Sequence, residues 1–153
     1  MKILIAEDDR ASRLVLEAII KKAGYEVIAT SNGKEAWEVM HGENPPLLAI
    51  IDWIMPEMNG VEFCRKVRES ATLSSTYIIF LTGKRQKDDC LIALESGADD
   101  YIRKPFDREE LLARLRPAER IIKLQSSLAI QVRELNQALS KIKTLQEKTE
   151  KPG

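Results

Sequence analysis

Leu47-Leu48-Ala49-Ile50-Ile51-Asp52 is a run of five apolar residues that ends on a carboxylate. Pro45-Pro46 stands before it and Pro56 after it. A run this short and this apolar predicts a strand buried on both faces. Asp52 then stands at the strand's carboxyl end, the edge where open α/β sheets bind ligands. Met55-Pro56-Glu57-Met58-Asn59-Gly60 predicts a turn feeding a helix. A purely structural role for Asp52, capping or turning the chain, is therefore the competing reading.

Working outward, Ile3 to Ala6 is another short apolar strand, ending in Glu7-Asp8-Asp9. The helix after it carries apolar residues at 11, 14, 15, 18 and 19, the stripe expected to face a core. Gly24 ends that helix as a C′ residue. Tyr25 to Ala29 alternates more and predicts a strand nearer the sheet edge. Asn32-Gly33 caps a helix around Ala36, Trp37 and Met40. Asn59 caps another, with Phe63, Cys64 and Val67 on one face. Tyr77 to Leu81 is a fourth buried strand, ending on Thr82-Gly83. A helix through Cys90, Leu91 and Leu94 stops at Gly97. Asp99-Asp100 leads into the brief strand Tyr101-Ile102, then Lys104-Pro105-Phe106. Asp107 with Glu110 starts a last helix, carrying Leu111, Leu112 and Leu115. Strands alternating with helices in this way predict an α/β fold, a doubly wound five-stranded parallel sheet.

Bulk properties narrow the function. The chain has 153 residues, 44% hydrophobic, enough for one core plus an extension. Lys+Arg and Asp+Glu both number 24, so no basic excess favours nucleic acid. The start Met1-Lys2-Ile3-Leu4 lacks the layout of a signal peptide, and no apolar run has the ~18 residues of a membrane span. A cytoplasmic protein is expected, without direct nucleic-acid or membrane contact. Cys64 and Cys90 have no metal or disulfide spacing and read as small core residues.

Three strand ends thus carry Glu7-Asp8-Asp9, Asp52 and Thr82, and Lys104 follows the last strand. In a doubly wound sheet these ends share one crevice. Carboxylates gathered there repel unless one takes a proton or a cation sits among them. An all-oxygen cluster suits Mg2+. Zinc is disfavoured, because the one histidine, His41, falls on the wrong side of the sheet. A carboxylate can act as nucleophile and form an aspartyl phosphate. Thr82 offers a hydroxyl, Lys104 a point charge, and Gly83 room beside Thr82. Each residue also has a bland role: Glu7-Asp8-Asp9 suits a helix N-terminus, and a lone Thr or Lys is ordinary.

Ile3-Leu4-Ile5-Ala6-Glu7-Asp8-Asp9, Ile51-Asp52-Trp53-Ile54-Met55-Pro56, Phe80-Leu81-Thr82-Gly83 and Gly97-Ala98-Asp99-Asp100-Tyr101-Ile102-Arg103-Lys104-Pro105-Phe106 resemble the receiver domain of two-component response regulators. The resemblance covers residues 1–116 and implies the flavodoxin-like strand order 2-1-3-4-5. It implies that Asp52 is the phosphoacceptor and that Asp8 ligates Mg2+ directly, with Glu7 acting through water. The backbone carbonyl of Ile54 would be a further ligand. Asp9 lies one position beyond the acidic pair and is read as a helix cap with a minor metal role. Thr82 and Lys104 would bind the phosphoryl group, and Lys104-Pro105 would be a cis peptide. Tyr101 matches the aromatic that swings inward when the threonine moves. The implied phosphodonor is a histidine kinase or phosphotransfer protein. The face over residues 86–115 would change shape. Ile54 and Lys84 would flank the route of the water that hydrolyses the phosphoryl group. The implied role is a switch rather than an enzyme, limited to self-phosphorylation and slow autodephosphorylation.

The tail is a different object. Ile121, Leu128, Leu135 and Ile142 recur every seven residues, and Gln125, Val132, Leu139 and Gln146 form a second, imperfect seam. This predicts a parallel coiled coil over residues 117–149, and a homodimer through residues 118–149, through the receiver face at residues 86–115, or through both. An amphipathic helix folded back on residues 1–116 is the alternative. Pro117 marks either a new helix start or a kink in one long helix. The end at residues 150–153 is read as a truncation before an effector that this chain lacks; a stand-alone dimer is the alternative.

Rival functions are weaker. Aspartyl-phosphate hydrolases need a second Asp two positions after the nucleophile, where this chain has Ile54. A flavodoxin needs a phosphate loop that Glu7-Asp8-Asp9 would repel. A receiver-fold interaction scaffold that is never phosphorylated is the remaining alternative.

Overall fold

The computed structural model describes residues 1–83 and 87–150, with the side chains of 87–90 and 150 outside that description. Lys84 and residues 151–153 therefore lie outside the described residues, as does the side chain of Cys90. The elements are β1 (Lys2–Ala6), α1 (Arg10–Lys22), β2 (Glu26–Thr30), α2 (Gly33–Met40), β3 (Leu48–Asp52), α3 (Gly60–Glu69), β4 (Tyr77–Thr82), α4 (Lys87–Glu95), β5 (Asp100–Arg103) and α5 (Arg108–Glu150). All pairings are parallel, in the order β2-β1-β3-β4-β5, as expected.

The central strand is as its composition demands. Every residue of β3 is buried, and so is every residue of β4. Side chains alternate across the sheet. Leu4, Ala49 and Ile78 are in register and share one face with Ile51 and Phe80. Phe63, Cys64 and Val67 of α3 pack there, with Ala36 and Met40 of α2. Ile3, Ile5, Ile50 and Ile79 fill the opposite face and are fully buried. Each such side chain contributes about 1.5–3 kcal/mol on leaving water. β2 is one of the two edge strands and is only partly buried, which its alternation predicted.

Local signals set the helix starts. Asp9, Asn32 and Asn59 are the N-caps of α1, α2 and α3, accepting from Ser12, Glu35 and Glu62 N–H. The Asp107 side chain accepts from Glu110 N–H at 2.7 Å, closing the first turn of α5.

Four expectations need correction. The stripe on α1 faces outward: Leu14 and Val15 are more than half exposed, and Leu16 and Ile20 are the buried pair. Two apolar rows coexist on this helix, and periodicity does not say which one meets the sheet. Leu47 lies outside β3 and is 47% exposed, and β2 starts at Glu26 and runs to Thr30. Leu91 and Leu94 of α4 also face outward, while Ala93 is buried.

The chain divides into two compact units, Met1–Ala118 and Glu119–Gly153. Helix α5 is one element with Pro117 inside it, so no new helix starts at residue 117. The missing proline N–H leaves the Ala113 carbonyl without its helical partner. Ala113 is exposed, so solvent can serve that carbonyl. In the first unit, Leu111, Leu115 and Ala118 of α5 are buried. In the second, Leu124, Leu128, Leu135, Leu139, Ile142 and Leu145 are all at least half exposed.

Candidate functional site

The parallel register assembles the site. Ala6 pairs with Ile51, so the next residues, Glu7 and Asp52, emerge side by side. Asp52 pairs with Leu81, next to Thr82 on the same strand. Thr82 pairs with Arg103, which brings Lys104 to the same edge. The backbone fixes this edge: Lys104 N–H donates to the Thr82 carbonyl at 2.8 Å, and Trp53 N–H to the Leu81 carbonyl at 3.1 Å. The Lys104-Pro105 peptide is cis, as expected.

Charge is concentrated there. Glu7 and Asp52 are buried, and Lys104 is partly buried. The Lys104 Nζ lies 2.8 Å from Glu7 Oε1 and 3.4 Å from Asp52 Oδ2. Burial pushes the Asp52 carboxyl up to about 8, and the hydrogen bond and charge of Glu7 push the same way, against Lys104. Burial alone would lower the Lys104 pKa, but its bond to Glu7 and the charge of Asp52 prevail and raise it. One ammonium thus serves two carboxylates, which leaves the pair short of positive charge.

The cluster fits a hard cation. Glu7, Asp8 and Asp52 each offer a carboxylate oxygen, all within 4.8 Å of one another. Glu7 Oε2 is buried and has no hydrogen-bond partner among the described residues. A buried, unsatisfied carboxylate oxygen is costly unless a cation or proton meets it. The all-oxygen donor set suits Mg2+. His41 instead caps the C-terminus of α2, its ring at 2.8 Å from the Trp37 carbonyl.

The remaining expected residues are placed as follows. Thr82 is buried, and its hydroxyl makes a long contact, 3.5 Å, to the Ile102 carbonyl. Tyr101 is half-buried and packs against the core cluster. Ile54 exposes its side chain, 77% accessible, so only its backbone can serve a buried site. Asp9 spends its side chain on Ser12 N–H at 2.9 Å, and that bond lowers its pKa. A Cβ at Gly83 would meet nothing within 4 Å, so there is open space beside Thr82.

Three supports were not anticipated. The Arg13 guanidinium donates to the Glu7 carbonyl at 2.8 Å and holds the end of β1 from α1. Its sequence signal is only a basic residue one turn after the Asp9 cap. Trp53 N–H donates to Asp52 Oδ1 at 2.9 Å, which orients the carboxylate. A Cβ on Gly60 would stand 2.6 Å from the Asp52 carbonyl oxygen, so glycine lets α3 start directly behind the site.

The response regulator receiver domain family matches residues 3–116. A relative from Pyropia yezoensis, named "Probable transcriptional regulator ycf27", is 40% identical over 130 residues, 84% of this chain and 52% of its own length. The phosphate regulon transcriptional regulatory protein PhoB of Pseudomonas aeruginosa is 37% identical over 114 residues, 74% of this chain and 49% of that protein. The chain spans about half the length of the curated relatives it matches. Among solved structures, the chemotaxis protein CheY4 of Vibrio cholerae has a TM-score of 0.70 at 30% identity, covering 76% of this chain and 96% of that one. Among the described residues, no helix is long and apolar enough to cross a membrane.

Proposed function

Because the chain belongs to the response regulator receiver domain family, we propose that it is a phosphorylation switch with Asp52 as phosphoacceptor. The observation that carries this reading is Lys104 Nζ standing between Glu7 and Asp52 at the carboxyl edge of the sheet. The phosphodonor is a histidine kinase or phosphotransfer protein in the cytoplasm. An apolar groove adjoins the site to receive it, lined by Ala11, Val15, Pro105 and Phe106 and reaching Lys104.

An Asp52 oxygen attacks the phosphorus of a phosphohistidine in line. A P–O bond forms, the P–N bond breaks, and the imidazole leaves with the electron pair. Asp52 is a nucleophile only when ionised, and Lys104 favours that form. Asp8, Asp52 and the Ile54 carbonyl, with Glu7 through water, would hold Mg2+, which would supply positive charge at this edge. Trp53 N–H holds the Asp52 carboxylate in orientation. The Thr82 hydroxyl's contact to the Ile102 carbonyl is long, so it costs little to exchange it for a bond to the new phosphoryl group. Tyr101 then packs into the space Thr82 leaves, and the α4-β5-α5 face changes shape. Residues 1–116 are the receiver, and residues 117–149 relay the change toward an effector.

The test is incubation with Mg2+ and labelled phosphoramidate, a small P–N donor, followed by hydroxylamine. Label that hydroxylamine releases is an acyl phosphate and supports the reading. Hydroxylamine-resistant label, or none, overturns it and leaves a receiver-fold interaction scaffold.

A further inference from the structure

The helix of the second unit, exposed along its apolar residues from Leu124 to Leu145, carries two heptad seams rather than one. The column Ile121, Leu128, Leu135 and Ile142 recurs every seven residues. Paired with Gln125, Val132, Leu139 and Gln146, it makes one seam. Paired with Leu124, Gln131, Ala138 and Leu145, it makes another, with the same alternation of three and four residues. The first seam has two glutamine layers. The second has one, plus an alanine that leaves a thin layer. Neither seam is clearly the better packed.

The partner is set by the chemistry of these columns. A strict seven-residue repeat over four turns matches another supercoiled helix rather than a globular surface. None of the three columns holds a charged residue; every Lys, Arg and Glu between 119 and 149 lies on other faces. A second copy therefore meets no like charge across either seam. Antiparallel packing pairs the glutamine column with the Ile121 column, leaving Gln125 and Gln146 against apolar residues or Thr149. Parallel, in-register packing pairs each glutamine with its own equivalent, so the amides can bond to each other. Val132 in one column with Leu128 and Leu135 in the other also favours two parallel strands.

We infer that the 119–149 helix pairs in parallel with a second copy of this chain and exchanges between two heptad frames that share the Leu128–Leu135–Ile142 column. Passing between them needs no unfolding. Each helix turns about 50°, one seventh of a turn, about the shared column. Such a pair is a bistable element that a small bias can set. This inference does not rest on phosphorylation of Asp52.

The test uses the full chain with single cysteines, oxidised and mapped by mass spectrometry. Mapping separates the new bridges from any formed by Cys64 or Cys90. A cysteine bridges its equivalent only from a core position, because flanking positions lie beyond the ~7 Å Cα reach of a disulfide. Val132→Cys reports the first frame and Ala138→Cys the second. Both bridges are expected in the parent sequence. Gln125→Leu with Gln146→Leu should shift the ratio roughly tenfold toward the Val132→Cys bridge, and Gln131→Leu toward the Ala138→Cys bridge. If one probe never bridges in any background, the coil has a single frame and the exchange is wrong. If neither bridges, the parallel pair itself is wrong.

Discussion

Asp52 sits in an environment that disfavours its charge. Its pKa rises from 3.8 to about 8, because burial and Glu7 both favour the neutral form. Between those values the folded chain holds a proton on Asp52 that the unfolded chain has released. The stability tied to that proton is fully present below pH 3.8 and is lost as pH rises through about 8. Lys104 does not disturb this window, since its raised pKa keeps its contribution intact up to at least 10.5. With a chelator present, Asp52→Asn should therefore match the parent near pH 4 and exceed it increasingly toward pH 8. Urea midpoints across that range check this; a constant difference would contradict it. Asp8 is exposed and Glu7 is buried against Lys104, so their substitutions should separate. Asp8→Asn should weaken Mg2+ binding at least about tenfold with the melting temperature of the metal-free chain unchanged. Glu7→Gln should change both, because it also removes the partner of Lys104. Tryptophan fluorescence during Mg2+ titration reads the first quantity, since Trp53 adjoins Asp52, and a thermal melt the second. Most of these residues were legible as strand-end carboxylates, a threonine and a lysine. What was hidden was Arg13 and the Trp53 N–H, because backbone contacts leave no pattern in side-chain identity.

At the scale of elements, the buried strands and the caps were readable because composition and turn residues act locally. The face of α1 was not, because Leu14 and Val15 form as good a stripe as Leu16 and Ile20. Only the neighbouring strands decide which row is covered. Arg68 was equally silent. From α3 its guanidinium donates to the carbonyls of Gly97, Ser74 and Thr76 and to Asp99 Oδ2, which also accepts from Ile78 N–H. This clamp ties α3 to the segments that precede β4 and β5. Arg68→Met should lower stability by about 2–4 kcal/mol, since several acceptors lose a charged donor at once. Denaturant unfolding measures it, and a loss under about 0.5 kcal/mol, typical of a surface change, would contradict the clamp. Gly60→Ala should cost about 1–3 kcal/mol by the same measurement, because its Cβ would press on the Asp52 carbonyl.

The whole molecule joins a buried sheet to a helix whose apolar residues from Leu124 to Leu145 remain exposed in one chain. The first unit holds the complete carboxylate cluster, Thr82 and Lys104. A chain ending at Ala118 should fold, stay monomeric and keep Mg2+ binding, whereas the full chain should be dimeric. Light scattering after size exclusion separates the two; a monomeric full chain would contradict the account of the tail. The sequence pattern made the tail's periodicity plain but not its continuity. Pro117 argues for a break, and only the exposure of Ala113 explains why the helix accepts it.

The most direct measurement is intact mass after incubation with Mg2+ and acetyl phosphate, with Asp52→Asn alongside. A gain of one phosphoryl group in the parent is expected, absent from the variant and absent when Mg2+ is chelated. An equal gain in the variant, or no gain under any condition, would contradict Asp52 as the phosphoacceptor.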